Sequence, residues 1–198
     1  MRTLFIILFT ALALSVPHAA PVPEVAQSRA APAATGTVRP NELTLARLRP
    51  GKDSITAADR IYNPTMRNSL PGSTGQPEWY DACTGHFLRV ETDENGAIES
   101  VTVSAIGPRR TDCAANTPDF LNRKYWKTGK GLGLGDTNKR VLALYGQPDS
   151  SGPSTQQGRE LQLMFYSYEE LGTDVPQVME ITLEKDRVVQ ITLAFPGL

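Results

Sequence analysis

Three groups of residues in this chain have types and spacings that could carry chemistry. The first is the stretch Gly129-Lys130-Gly131-Leu132-Gly133-Leu134-Gly135-Asp136-Thr137, where alternating glycines precede a helical pattern, as in loops that cradle phosphate. A dinucleotide loop needs a strand directly before its glycines, and the preceding NRKYWKTGK is polar and basic with no apolar run. A Walker loop ends in Gly-Lys-Ser or Gly-Lys-Thr. This segment offers Gly135-Asp136-Thr137 instead, with a carboxylate where phosphate charge would sit. The glycines therefore read as joints of a connection, and no cofactor is expected.

The second group is Asp81, Cys83 and His86, which could supply metal ligands. Zinc sites generally need a fuller ligand set, and His86 is the only histidine beyond His18. A lone histidine in a strand-like run reads first as structural, and a small secreted enzyme or metal-binding protein using His86 is the alternative function. The third group is the carboxylate pairs Asp93-Glu94 and Glu169-Glu170, both of which read as turn or surface charges. No serine stands in a Gly-x-Ser-x-Gly setting. The expectation is a protein without catalytic residues and without a bound metal.

Composition narrows the class. Residues 1–20 carry Arg2 and then an apolar run from Leu4 to Val16, followed by Ala19 and Ala20, which is the layout of a signal peptide. No later segment is a transmembrane candidate, so a periplasmic or secreted product is expected. The net charge of −1 becomes −2 once Arg2 is removed, which gives no footprint for nucleic acid. An even pair of cysteines, Cys83 and Cys113, in an oxidising compartment implies one disulfide, worth roughly 3–4 kcal/mol for a loop of that length. Residues 21–42, rich in Ala and Pro, read as a flexible linker.

The elements come from an internal echo. Leu48, Gly51 and Pro64 match Leu132, Gly135 and Pro148 at one constant offset, and Ala57, Ala58 and Ile61 fall opposite Val141, Leu142 and Tyr145. Those apolar positions have helical spacing. Asp53 or Ser54 in one copy, and Asp136 or Thr137 in the other, suit the N-cap. After each helix the period changes to two. WYDACTGHFLRVET and AIESVTVSA follow the first, separated by the turn signal Asn95-Gly96, and LQLMFYSY, VMEITLE and VVQITLAF follow the second. The fold class is α+β, with two tandem units, each a short N-terminal helix on one face of an antiparallel sheet. The first unit spans 43–118, the inter-unit linker 119–131 and the second unit 132–198.

Gly135, Thr137, Val141, Gly146 and Pro148, followed by hairpin strands, resemble the BamE-like (SmpA/OmlA) domain of barrel-assembly accessory lipoproteins. Gly51, Asp53, Ala57 and Pro64 carry a sparser match in the first unit, where Tyr62 replaces the glycine. Two such units with a cysteine pair are also similar to the β-lactamase-inhibitor protein fold. The resemblance implies a non-catalytic protein that binds another protein, an exported enzyme or an envelope assembly component, across its sheet. The lipoproteins carry a lipid-bearing cysteine at the cleavage site. Here no cysteine precedes Cys83, so no lipid anchor is expected.

Strand alternation sorts candidate binding residues. Leu161, Leu163 and Phe165 share one face, which leaves Met164, Tyr166 and Tyr168 as the outward set. Val101 and Val103 read as buried, with Phe87 and Arg89 outward on the neighbouring strand, and Val189, Ile191, Leu193 and Phe195 form the apolar set of the last strand. Aromatic, Met and Arg side chains of this kind compose interface cores. Tyr125-Trp126, in the basic stretch FLNRKYWKTGK, is a second candidate anchor, or else a plug at the junction between the units.

Overall fold

The computed structural model describes residues 42–67, 75–113, 121–156, 158–168 and 176–195. Residues 1–41, where the sequence predicts a signal peptide and most of a linker, fall outside that set. Among the described residues no helix is long and apolar enough to cross a membrane.

The two stretches of helical spacing form α1 (Ile55–Ile61) and α2 (Asn138–Tyr145). Thr137 caps α2, its hydroxyl accepting the Arg140 N–H at 3.3 Å, while Ser54 precedes α1 with no side-chain cap bond. Asp53 instead pairs with Arg49. Gly146 ends α2 at φ 73°, a conformation in which a Cβ would be strained.

Seven strands follow the alternating segments: β1 (Glu78–Asp81), β2 (His86–Thr92), β3 (Ile98–Ser104), β4 (Ser150–Gln156), β5 (Arg159–Tyr168), β6 (Gln177–Glu184) and β7 (Arg187–Ala194). They make one antiparallel sheet in the order β1-β2-β3-β7-β6-β5-β4. Each half of the chain thus runs helix first and strands after. The two sets of strands are continuous along the β3–β7 pairing, where Val101 lies opposite Leu193 and Val103 opposite Ile191. The β6–β7 turn uses Lys185 and Asp186 at φ 47° and 64°, the left-handed pair that a two-residue hairpin requires. β4, with sequence SSGPSTQ, has no apolar alternation and was not expected from the sequence. It stands at the sheet edge, where a proline costs no interior ladder bond.

The larger of the two buried clusters lies on the helix side of the sheet, and a smaller one, Tyr80 and Phe87, lies on the other side. Ala58 of α1 and Val141 and Tyr145 of α2 pack over Trp79, Leu88, Val90, Val101, Val103, Met179, Ile181, Ile191 and Leu193. The sequence reading of β5 is corrected here. Met164, Tyr166 and Tyr168 point inward and are at most 2% exposed, while Leu163 and Phe165 take the outer face, half-buried. Tyr166 lies 5.8 Å from the Tyr145 ring and donates its hydroxyl to the Gly146 carbonyl at 3.1 Å, so the end of α2 satisfies its polar tip inside the core. A bulge corrects β7 in the same way. Thr182 pairs with Gln190 and Leu183 with Val188, leaving Val189 as the extra residue, so Val188 enters the core in its place.

Candidate protein-binding face

The described helices all pack against one side of the sheet, so the other side is read strand by strand from the register. One row crosses all seven strands: Glu78, Arg89, Thr102, Thr192, Glu180, Phe165 and Ser150. The adjacent row is Tyr80, Phe87, Ser104, Gln190, Thr182, Leu163 and Gly152. Arg89, Thr102, Thr192, Glu180, Phe165, Gln190 and Leu163 are all half-buried. Glu78, Tyr80, Phe87, Ser104 and Thr182 of the same rows are buried, so what the face offers is a set of half-buried polar side chains with an apolar pair, Leu163 and Phe165, towards the β4 edge.

Local interactions hold several side chains of this face in place. Arg89 Nε donates to Glu78 Oε1 at 2.5 Å, its guanidinium lies 5.4 Å over the Phe87 ring, and the Glu78 side chain is fully buried. The Thr102 and Thr192 hydroxyls bond to each other at 2.9 Å across the β3–β7 pairing. The Ser100 hydroxyl donates to Glu91 at 2.7 Å.

At the β1 end a strap of residues 105–113 crosses this face. Tyr80 donates its hydroxyl to the Pro108 carbonyl at 2.5 Å, Gly107 N–H donates to Gly85 O at 2.9 Å, and Arg110 N–H to Ala82 O at 2.7 Å. The Cys83–Cys113 disulfide closes the strap onto the β1–β2 turn. Gly107 is needed for the fit, because a Cβ there would meet the Gly85 carbonyl oxygen at 2.7 Å and the Phe87 ring at 3.1 Å. Phe87 therefore lies on the outer face, as its alternation indicated, but the strap covers it to 7% exposure. Burial, joined by the Asp81 carboxylate, raises the Tyr80 hydroxyl above its ordinary pKa.

The second candidate pair divides. Tyr125 is half-buried, with the Arg47 guanidinium stacked 3.8 Å over its ring and the Lys124 ammonium at 4.9 Å. Trp126 is 2% exposed and belongs to the core. Neither is brought near the outer face of β5.

The ligand set Asp81, Cys83 and His86 is not assembled. Cys83 spends its sulfur on the disulfide, and Asp81 accepts from Cys83 N–H and the Thr84 hydroxyl. Burial alone would raise the Asp81 carboxyl, but those hydrogen bonds outweigh it and hold the group below its usual range. Burial lowers the His86 pKa, and the Arg123 and Arg109 guanidinium charges lower it further. Two cations beside the imidazole oppose the approach of a third.

One residue that carries much of the local chemistry had no signal in the sequence. Glu42, placed by its composition in the linker, is 2% exposed, and its carboxylate accepts from Leu43, Thr44, Gly129 and Lys130 N–H groups and from the Tyr145 hydroxyl.

No family model matches the sequence, and no curated protein matches it. Two solved structures are similar. One is a DUF4309 family protein (YjgB) from Bacillus subtilis, with a TM-score of 0.44 and 10% identity over 78% of this chain and 87% of that one. The other is named a putative beta-lactamase inhibitor protein, from Streptococcus mutans, with a TM-score of 0.26 and 14% identity over 77% of this chain and 88% of that one. The BamE-like resemblance read from the sequence is not shown by these comparisons.

Proposed function

We propose that this chain is an exported, non-catalytic protein-binding module, built from two tandem helix-then-sheet units, that engages its partner with the outer sheet face. The observation that carries the proposal is the seven-strand row from Glu78 to Ser150, continuous in register and with every described helix on the other side. The strap covers the β1 end, so the four strand spacings from β3 to β4 leave a face about 19 Å wide, and strands of this length make it roughly 25 Å deep, on the order of 500 Å². That is below the ~800 Å² that each partner contributes to a standard interface and corresponds to a smaller one.

The chemistry of the face fits a protein surface that offers one apolar side chain to Leu163 and Phe165 and donors to Glu180, Gln190 and Thr192. Arg89, already held in place by Glu78, adds a pre-oriented guanidinium at low entropic cost. Phe165 supplies the aromatic anchor that the sequence reading had assigned to Tyr166 and Tyr168. An oxidising compartment suits the disulfide. An exported enzyme that is inhibited and an envelope assembly component that is supported are the two partner classes.

The test is a crosslinking pull-down from envelope extract with the parent chain, Phe165→Ala, and Thr192→Arg, which plants a charge in the middle of the face. Both variants should keep the fold and lose the same partner. Retention of that partner by both would remove the sheet-face reading and turn attention to Tyr125. Inhibition of a captured hydrolase, against co-purification with membrane β-barrels, separates the two partner classes.

A further inference from the structure

The glycine stretch that resembles a phosphate loop does bind an anion, and the anion comes from the chain itself. Residues 44–46 run antiparallel to residues 127–129, with Leu45 paired to Thr128, Ala46 N–H donating to Lys127 O at 3.1 Å and Gly129 N–H to Thr44 O at 3.1 Å. That pairing brings the Glu42 carboxylate into the turn. Its Oε1 accepts from Leu43 N–H at 3.0 Å, Thr44 N–H at 3.2 Å and Gly129 N–H at 2.8 Å, and its Oε2 accepts from Lys130 N–H at 3.1 Å and the Tyr145 hydroxyl at 2.7 Å. Tyr145 can donate its single proton to Glu42 because the Thr128 hydroxyl, 2.6 Å away, donates to the phenolic oxygen in turn. Lys130 places its ammonium 4.7 Å over the Tyr145 ring.

A buried carboxylate is costly unless its lone pairs are filled, and here five donors converge on two oxygens. Successive backbone N–H groups aimed into one concavity make an anion nest. Its size is set by the absence of a side chain at Gly129, where a Cβ would stand 2.6 Å from Glu42 Oε1 and 2.8 Å from Thr44 Oγ1.

We propose that the Thr128–Gly131 turn, with Tyr145, is a carboxylate receptor filled in cis by Glu42, and that it takes up a free small carboxylate when that side chain is removed. Tethering gives Glu42 a high effective concentration, so in the native chain it excludes competing anions.

The test uses the full chain with Glu42→Ala, probed with sodium acetate and sodium formate against sodium chloride at matched ionic strength and constant pH. The variant should melt several degrees below the parent, and acetate should return a large part of the loss saturably while chloride returns little. The Gly129 and Lys130 amide resonances should shift along the same titration. Gly129→Ala added to Glu42→Ala should abolish the response, and Tyr145→Phe should weaken it by roughly tenfold through the lost charge-assisted bond. An equal response to acetate and chloride, or unmoved Gly129 and Lys130 amides, overturns the proposal. If Glu42→Ala does not fold in chloride, folding in acetate supports it, and failure to fold in both anions refutes it.

Discussion

Exchanging the two neighbours Phe165 and Tyr166 for alanine is the sharpest test of which face of β5 is inside. Tyr166 is fully buried against Tyr145, and its hydroxyl bonds to the Gly146 carbonyl at the end of α2. Truncating a buried aromatic ring costs about 3–5 kcal/mol, because most of the cavity it leaves cannot collapse. Within that loss, Tyr166→Phe isolates the hydroxyl, about 1 kcal/mol. Phe165 is half-buried on the opposite face, so Phe165→Ala removes partial coverage and cross-strand contact, about 1 kcal/mol. In a domain of this size 1 kcal/mol moves the melting temperature by roughly 2–4 °C. Tyr166→Ala should therefore melt roughly 6–20 °C below the parent, and Phe165→Ala within a few degrees. Thermal and urea denaturation followed by circular dichroism measure both, and partner capture is scored on the folded variants. The reverse order of stabilities, or equal losses, would refute the assignment of faces.

Two further predictions concern the β1 end of the sheet. Replacing Cys83 and Cys113 with serine reopens a loop with a sequence separation of 30, which in the chain-entropy account costs roughly 3–4 kcal/mol. Melting should fall by about 10 °C, and a reducing agent should lower the parent towards the double variant without affecting the variant itself. His86 gives a pH dependence of defined sign. Burial and the Arg123 and Arg109 charges, only partly opposed by Asp81, place its folded pKa below the ordinary 6.5. As pH falls through 6.5 the unfolded chain takes up the proton first, so stability present at neutral pH is lost down to the folded pKa. His86→Gln should flatten that slope between about pH 7 and 5, and an unchanged slope in the variant would show that the histidine is not responsible.

How much of this was legible in the sequence depends on where the deciding partner lies. The helices and six of the strands announce themselves by period, because a 3.6-residue or two-residue repeat is a local property. The inward side of β5 is not local. Leu161, Leu163 and Phe165 and the set Met164, Tyr166 and Tyr168 are both apolar enough to be core, and the choice is made by α2, whose Gly146 carbonyl is the acceptor for Tyr166. Phe87 shows the complementary limit: alternation put it on the outer face, and a strap about twenty residues later in the chain covers it. β4 was unreadable because an edge strand of Ser, Gly, Pro and Thr carries no hydrophobic signal. Glu42 was unreadable because three of its five donors come from a distant part of the chain.

The strand order also sets a timetable for folding. β7 is the latest-made of the described strands, yet it occupies the middle of the sheet, between β3 and β6. Until residues 187–194 are available, β3 and β6 each present an unpaired edge with buried-type residues such as Val101, Val103, Met179 and Ile181 beside it. The β6 edge is closed by its own hairpin with β7, whereas the β3 edge waits for a strand from the other half, and an open edge is a template for pairing with another chain. The β3–β7 pairing is a long-range contact that can form only once the last described strand has been made, which places it among the slow contacts of folding.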